Sequence, residues 1–329
     1  MPKHRNFSPW AYWRLRVDSV TAPPVLTRER LHELLGALPA MVEADVEVTD
    51  VEQRDGYRVE RIVFDAEAAM SVPALLLVPD GADDGEPRPA VLAVHGHGTT
   101  KDTISTPGGV GVDEGAANAD YAHRLASAGL VVLAPDLRGF GERSDWTPDD
   151  HYHCDVDLVN GILVGTTPFA QNLWDMARCL DVLQGLPYVD EQRMGACGWS
   201  YGGTITLFLA AWDERVAAAL VSCALASIAS SHRVPWNLCG SQVLPGMAGE
   251  IDHPALVGLI APRPLIAENA EDDLIFPLDA AKATLETAQA AYEAAGGRGG
   301  TRLFVHDGDH RFDGTDSLPA LIQALSSTS

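Results

Sequence analysis

Short continuous apolar strands alternating with amphipathic helical segments, preceded by an antiparallel hairpin signal, predict an α/β fold. The expected architecture is a mostly parallel sheet with an antiparallel start and helices on both faces. The 329 residues, 46% apolar and 21% charged, supply a sizeable core, and this composition excludes disordered, collagenous and coiled-coil classes. Length alone, at about 150 residues per domain, suggests two domains. The strand–helix alternation instead runs through most of the chain and favours one, residues 45–329, behind an N-terminal helical extension, residues 1–44.

The elements follow in order. Thr27 is an N-cap for a helix whose Leu31, Leu34, Leu35 and Leu38 share one face before Pro39; packing of that face on its own domain is expected, and on a second copy is the alternative. Val46, Val48 and Val51, an Asp55-Gly56 turn, then Val59, Ile62 and Phe64 read as a hairpin, with an antiparallel strand at 73–78 beside it. Buried strands are expected at 90–94, 130–134, 193–197, 216–223, 264–268 and 301–305. Helices are expected at 121–128, 173–183, 204–212, 280–295 and 318–325. Residues 142–171 and 224–259 lack a clear period, and loops this long inside a compact domain are usually functional, so both are candidate pocket walls.

Charge and cysteine usage narrow the partners. There are 46 acidic against 23 basic residues, a formal charge of −23, which repels phosphate backbones and anionic lipid surfaces, so neither nucleic acid nor membrane is an expected partner. Cys154, Cys179, Cys197, Cys223 and Cys239 contain no C-x-x-C pair and read as reduced thiols. Residues 1–20 lack the apolar core of a signal peptide, and no run approaches the ~20 apolar residues of a membrane span. A cytoplasmic location is the expectation.

The chemistry concentrates at Gly198-Trp199-Ser200-Tyr201-Gly202, a G-x-S-x-G pattern between the strand ending at Cys197 and an apolar helical run. This is the strand–turn–helix setting of a nucleophile elbow, in which small residues let strand and helix approach closely while the serine sits in a strained turn. A serine hydroxyl needs a base, and the base needs an orienting acid. Of the 11 histidines, His310 lies in a Gly-Asp-His-Arg-Phe loop between the last strand and last helix, with His306 its competitor. No Asp or Glu occurs between Val216 and Gly249, which moves the acid to the loop after the next strand. There Glu268, Glu271, Asp272 and Asp273 are candidates, and D-x-x-F-P favours Asp273 over Asp272. The order Ser200, Asp273, His310 is that of one hydrolase class. Oxyanion donors are expected from the backbone N–H groups of Tyr201 and of His97 in the His95-Gly96-His97-Gly98 turn.

His95-x-His97 also reads as a metal pair, with His151, His153, Asp155 and Asp157 as further ligands. That alternative, a metal-dependent amidohydrolase, leaves the elbow, the Asp273 loop and the His310 loop unexplained. No cofactor and no metal are expected.

These segments carry a family resemblance. H-G-H-G at 95–98, D-L-R-G-F-G-E-R at 136–143, R-M-G-A-C-G-W-S-Y-G-G at 193–203, L-I-A-P-R-P-L-I at 259–266, D-L-I-F-P at 273–277 and G-D-H-R-F at 308–312 occur in this order. The chain from about 73 to 325 resembles the α/β-hydrolase superfamily, and within it the dienelactone-hydrolase-like and acetylxylan-esterase-like members. The resemblance implies an α/β-hydrolase fold with an eight-stranded sheet, and a cofactor-independent serine hydrolase. Dienelactone hydrolases proper use a cysteine where Ser200 stands, so the expectation is a small acyl ester cleaved by a carboxylesterase or acetylesterase. A peptidase, thioesterase or lactonase using the same triad is the alternative. Trp199, Phe140, Trp236 and Met247 are candidate pocket residues, with Arg138 and Glu142 as candidate polar contacts. Homo-oligomerisation is open.

Overall fold

A computed structural model describes residues 25–109, 119–145, 153–231, 239–296 and 300–327. Its helices are α1 (Arg28–Leu34), α2 (Lys101–Ser105), α3 (Tyr121–Ser127), α4 (His153–Leu163), α5 (Pro168–Gln184), α6 (Tyr201–Trp212), α7 (Ile228–Ser231), α8 (His253–Ile260), α9 (Leu278–Ala294) and α10 (Ser317–Ser326). The strands are β1 (Glu47–Arg54), β2 (Tyr57–Glu67), β3 (Met70–Pro79), β4 (Arg88–Val94), β5 (Val131–Pro135), β6 (Val189–Trp199), β7 (Ala218–Ser222), β8 (Leu265–Ala270) and β9 (Thr301–His306).

They form one nine-stranded sheet in the order β1-β2-β3-β5-β4-β6-β7-β8-β9. The pairs β1/β2, β2/β3 and β3/β5 are antiparallel, and every pair from β5/β4 to β8/β9 is parallel. This is the α/β-hydrolase architecture with nine strands where the resemblance implied eight. β1 accounts for the difference: it is exposed along nearly its whole length, so Val48 and Val51 face solvent, and hydrogen bonding to β2 rather than burial keeps it in place.

The central strands β4 to β8 are apolar on both faces because both are covered. One core packs Leu31 of α1 and Leu35 just after it with α5, α6, α8 and α9; the other packs α3 and α10 beneath the opposite face. Thr27 caps α1 through its hydroxyl, which accepts from Arg30 N–H at 3.1 Å. Arg28 then donates to the Leu259 carbonyl, and Arg30 pairs with Glu250 at 2.9 Å. Helix α1 therefore packs on the rest of the chain.

The region 142–171 contains α4, which the sequence pattern does not reveal. Only Cys154 and Gly161 are buried on that helix, while Val159, Ile162 and Leu163 are exposed, so its apolar residues do not trace a core-facing stripe. Among the described residues no helix is long and apolar enough to cross a membrane.

Candidate active site

Parallel strands deliver their carboxyl ends to one edge of the sheet, where open α/β sheets collect functional groups. β4 leads into His95–Gly98, β6 into Ser200, β8 into Asp273 and β9 into His310. Ser200 has φ 57° and ψ −122°, a backbone region that costs a non-glycine residue of order 1–3 kcal/mol and persists only where its surroundings enforce it. Two glycines permit the turn. A Cβ at Gly198 would lie 2.2 Å from the Gly202 carbonyl oxygen, and one at Gly202 would lie 2.0 Å from that of Val94. The Ser200 amide donates to the Ser222 carbonyl at 2.9 Å, and the Ser200 carbonyl accepts from Thr204 N–H at 2.9 Å.

Ser200 Oγ lies 2.8 Å from His310 Nε2, and His310 Nδ1 lies 2.8 Å from Asp273 Oδ2. With the serine hydroxyl donating to Nε2, the ring carries its proton on Nδ1 and donates to the carboxylate. The other Asp273 oxygen accepts from the amides of Ile275 at 2.8 Å and Phe276 at 2.9 Å. Asp273 is thus buried with both carboxyl oxygens hydrogen-bonded. Asp272 and His306, the competitors, lie apart: Asp272 is exposed and His306 Nδ1 contacts the Asp307 carbonyl. The His310 ring stacks on Phe276, centroids 5.8 Å apart, and packs against Trp199 at 5.4 Å. Behind it the Cys223 thiol donates to the Arg311 carbonyl at 3.2 Å. Burial pushes that thiol well above its usual range, which keeps it protonated and inert.

Glu268, among the four candidate acids of this stretch, bonds other partners than His310. Fully buried at the end of β8, its Oε1 accepts from Ser222 Oγ at 2.7 Å and Asp313 N–H at 3.1 Å, and its Oε2 from Gly314 N–H at 2.8 Å and Ser317 Oγ at 2.5 Å. It ties the loop carrying His310 to the strand end whose carbonyl holds Ser200. An acid closing an apolar strand was the available signal.

On the opposite side, the amides of His97 and Tyr201 have no acceptor among the described residues. A Cβ at Gly96 would stand 2.8 Å from the Trp199 ring, so this turn lies directly against the elbow. His95 does not form a metal pair with His97. It is fully buried, its Nε2 accepts from Leu137 N–H at 3.0 Å and its Nδ1 faces the Gly96 carbonyl at 2.8 Å. Burial lowers its pKa, and both ring nitrogens are committed. His97 is exposed, and its Nε2 is 3.6 Å from Cys154 Sγ. His151 lies outside the described residues, and Asp155 caps the Gly240 amide at 2.8 Å.

The two candidate polar contacts, Arg138 and Glu142, both bond protein side chains. Arg138 is buried, forking onto Asp175 with two 2.7 Å bonds and reaching Glu67 at 2.7 Å. Glu142 pairs with Lys101, which also bonds buried Asp136 at 2.6 Å. These ion pairs hold the loop after β5, and with it Phe140, whose half-buried ring meets His97 edge-on at 5.1 Å. Met247 is buried in the core, its sulfur accepting from Leu244 N–H at 3.2 Å. Trp236 lies outside the described residues.

A model of the family described as acetyl xylan esterase (AXE1) matches residues 33–233, well over half of the chain. The chain belongs to the acetyl xylan esterase family. It is a hydrolase acting on ester bonds. YtaP of Bacillus subtilis (strain 168), provisionally named a hydrolase, is 28% identical over 284 residues, covering 82% of this chain and 88% of YtaP. A Bacteroides fragilis NCTC 9343 protein provisionally assigned as an acetyl xylan esterase superposes with a TM-score of 0.72 at 18% identity, over 93% of this chain and 84% of that one. Acetyl xylan esterase 1 of Thermoanaerobacterium sp. JW/SL YS485 gives a TM-score of 0.59 at 17% identity, over 91% and 99%. At these identities the superpositions speak for the fold. The family match includes His97 and Ser200 and ends before Asp273 and His310.

Proposed function

We propose that this protein is a serine carboxylesterase of the acetylesterase type, acting on a small acyl ester through Ser200, His310 and Asp273 and an acyl-enzyme. The observation that carries the reading is the continuous hydrogen-bonded chain from Ser200 Oγ through both nitrogens of His310 to Asp273, 2.8 Å at each step, starting from a strained elbow. The roles follow from the geometry. His310 Nε2 takes the Ser200 proton as Oγ attacks the acyl carbonyl, and later returns it to the departing alkoxide. Asp273 orients the ring and stabilises the imidazolium. The amides of Tyr201 and His97 stabilise the oxyanion. Water, activated by His310, then releases the acid. Family membership favours acetyl as the acyl group, and the surface charge disfavours polyanionic substrates.

A fluorophosphonate probe should label wild type and leave Ser200→Ala unlabelled. On a panel of p-nitrophenyl acetate, longer acyl esters, thioesters and aminoacyl substrates, the acetyl ester should be turned over fastest. Near wild-type turnover by Ser200→Ala sinks the assignment, and preference for a thioester or aminoacyl substrate replaces acetylesterase by another class on the same triad.

A further inference from the structure

His97 has a second set of neighbours. Its Nε2, the Cys154 sulfur and the Cys239 sulfur all lie within 4.8 Å of one another, with the His97–Cys154 pair at 3.6 Å. The three residues come from distant segments: the turn after β4, the first turn of α4, and the stretch before the short 3-10 turn Gly240–Gln242. We propose that His97 Nε2, Cys154 Sγ and Cys239 Sγ form a binding site for a soft divalent cation, best matched by Zn²⁺, that joins the two long insertions to the turn beside Ser200.

The donor set and spacing carry this. Zn–S bonds of about 2.3 Å and Zn–N bonds of about 2.0–2.1 Å in a tetrahedron place two sulfurs about 3.8 Å apart and a sulfur and nitrogen about 3.5 Å apart. The observed triangle closes onto a metal with shifts of about an ångström or less. Two thiolates and a neutral imidazole cancel the charge of a divalent ion, and thiolate with imidazole selects zinc over magnesium or calcium. All the cysteines are free.

The ligands are also held in place. A Cβ at Gly240 would fall 2.4 Å from the Cys154 carbonyl oxygen and 2.7 Å from Leu158 Cβ, so only glycine lets the Cys239 segment seat on α4. The Gly240 amide is fixed by Asp155 Oδ1 at 2.8 Å. Around the Cys239 sulfur, Ser241 Oγ stands at 2.9 Å and Gln242 Nε2 at 3.8 Å, the kind of outer partner that orients a metal-bound thiolate. The Phe140 ring supports the imidazole from the other side. Three protein ligands leave a fourth position for water or an added ligand.

The site uses the His97 side chain, whereas the proposed ester chemistry uses the His97 backbone amide, and its test therefore reads metal rather than turnover. The full chain, reduced anaerobically with a non-thiol reductant, is titrated with Co²⁺ and then Zn²⁺. A thiolate-to-cobalt charge-transfer band saturating at one equivalent, and displaced by one equivalent of Zn²⁺, is the expected result. Cys154→Ala and Cys239→Ala should each weaken binding at least tenfold. X-ray absorption of the wild-type zinc form should give two sulfurs and one imidazole nitrogen, which keeps the test decisive if a variant fails to fold. No charge-transfer band, zinc coordinated by oxygen and nitrogen only, or a band unchanged in both variants overturns the proposal.

Discussion

Glu268→Gln tests how the His310 loop is held. The carboxylate accepts four hydrogen bonds, two at each oxygen, and each oxygen serves one serine hydroxyl and one backbone amide. Glutamine keeps the shape but turns one oxygen into a donor. A serine hydroxyl can rotate to accept from it; the Asp313 or Gly314 amide cannot. One buried amide then loses its acceptor, at about 1–3 kcal/mol, and the other bonds fall from charge-assisted to neutral strength, at about 0.5–1 kcal/mol each. Relief of the buried charge's desolvation offsets part of this. The net expectation is a loss of about 2–4 kcal/mol, a large share of the ~5–15 kcal/mol typical of a folded domain. In urea unfolding the midpoint should fall with the slope unchanged. Because a displacement of about 1 Å can cost about 10²-fold in rate, kcat on p-nitrophenyl acetate should drop by about that factor, with KM moving less than about threefold. A stability change under about 1 kcal/mol together with unchanged kcat refutes the role given to Glu268.

Three further outcomes follow from the same geometry. Asp273→Asn removes the acceptor that fixes the His310 tautomer, and kcat should fall about 10⁴-fold, whereas Asp272→Asn, at an exposed position, should stay within about twofold of wild type in steady-state kinetics. Arg138→Met removes two charge-assisted bonds from buried Asp175, which keeps Arg143 Nη2 at 2.8 Å, and should cost about 2–3 kcal/mol in chemical unfolding, while KM of the folded fraction is unchanged; a raised KM at full stability would restore Arg138 as a substrate contact. His253 is buried, with Nδ1 accepting from Ala226 N–H at 3.0 Å, and burial lowers its pKa to about 4. The unfolded chain, with an ordinary value near 6.5, binds the extra proton between those limits. This contribution of about 3 kcal/mol is therefore complete above about pH 6.5 and is lost as pH falls towards 4. His253→Asn, which keeps an acceptor and removes the titration, should flatten the unfolding free energy across that window.

The parallel part of the fold was legible because its strands are buried on both faces and read as unbroken apolar runs. β1 was legible as a hairpin arm from the Asp55-Gly56 turn, but its exposed valines carried no information about burial. α4 was hidden because it buries little more than Cys154 and Gly161. At the candidate site, the glycines around Ser200 and the acid-free stretch from Val216 to Gly249 pointed to the loops that meet. The D-x-x-F-P pattern favoured Asp273 over Asp272, and in the structure Asp273 is the one of the two that bonds His310 while Asp272 is exposed. The ion pairs of Arg138 and Glu142 were not legible, because a charged residue in a loop reads alike whether it faces substrate or a buried counter-charge. The meeting of His97 with Cys154 and Cys239 depends on three distant segments, and no spacing within the chain encodes it.

In the proposed mechanism Ser200 carries the acyl group. Protein mixed with p-nitrophenyl acetate, quenched in acid during turnover and analysed by intact-mass and peptide mass spectrometry, should show one added acetyl group on the peptide containing Ser200, and none in Ser200→Ala. Full turnover with no adduct, or an adduct on another residue that survives in Ser200→Ala, contradicts the account.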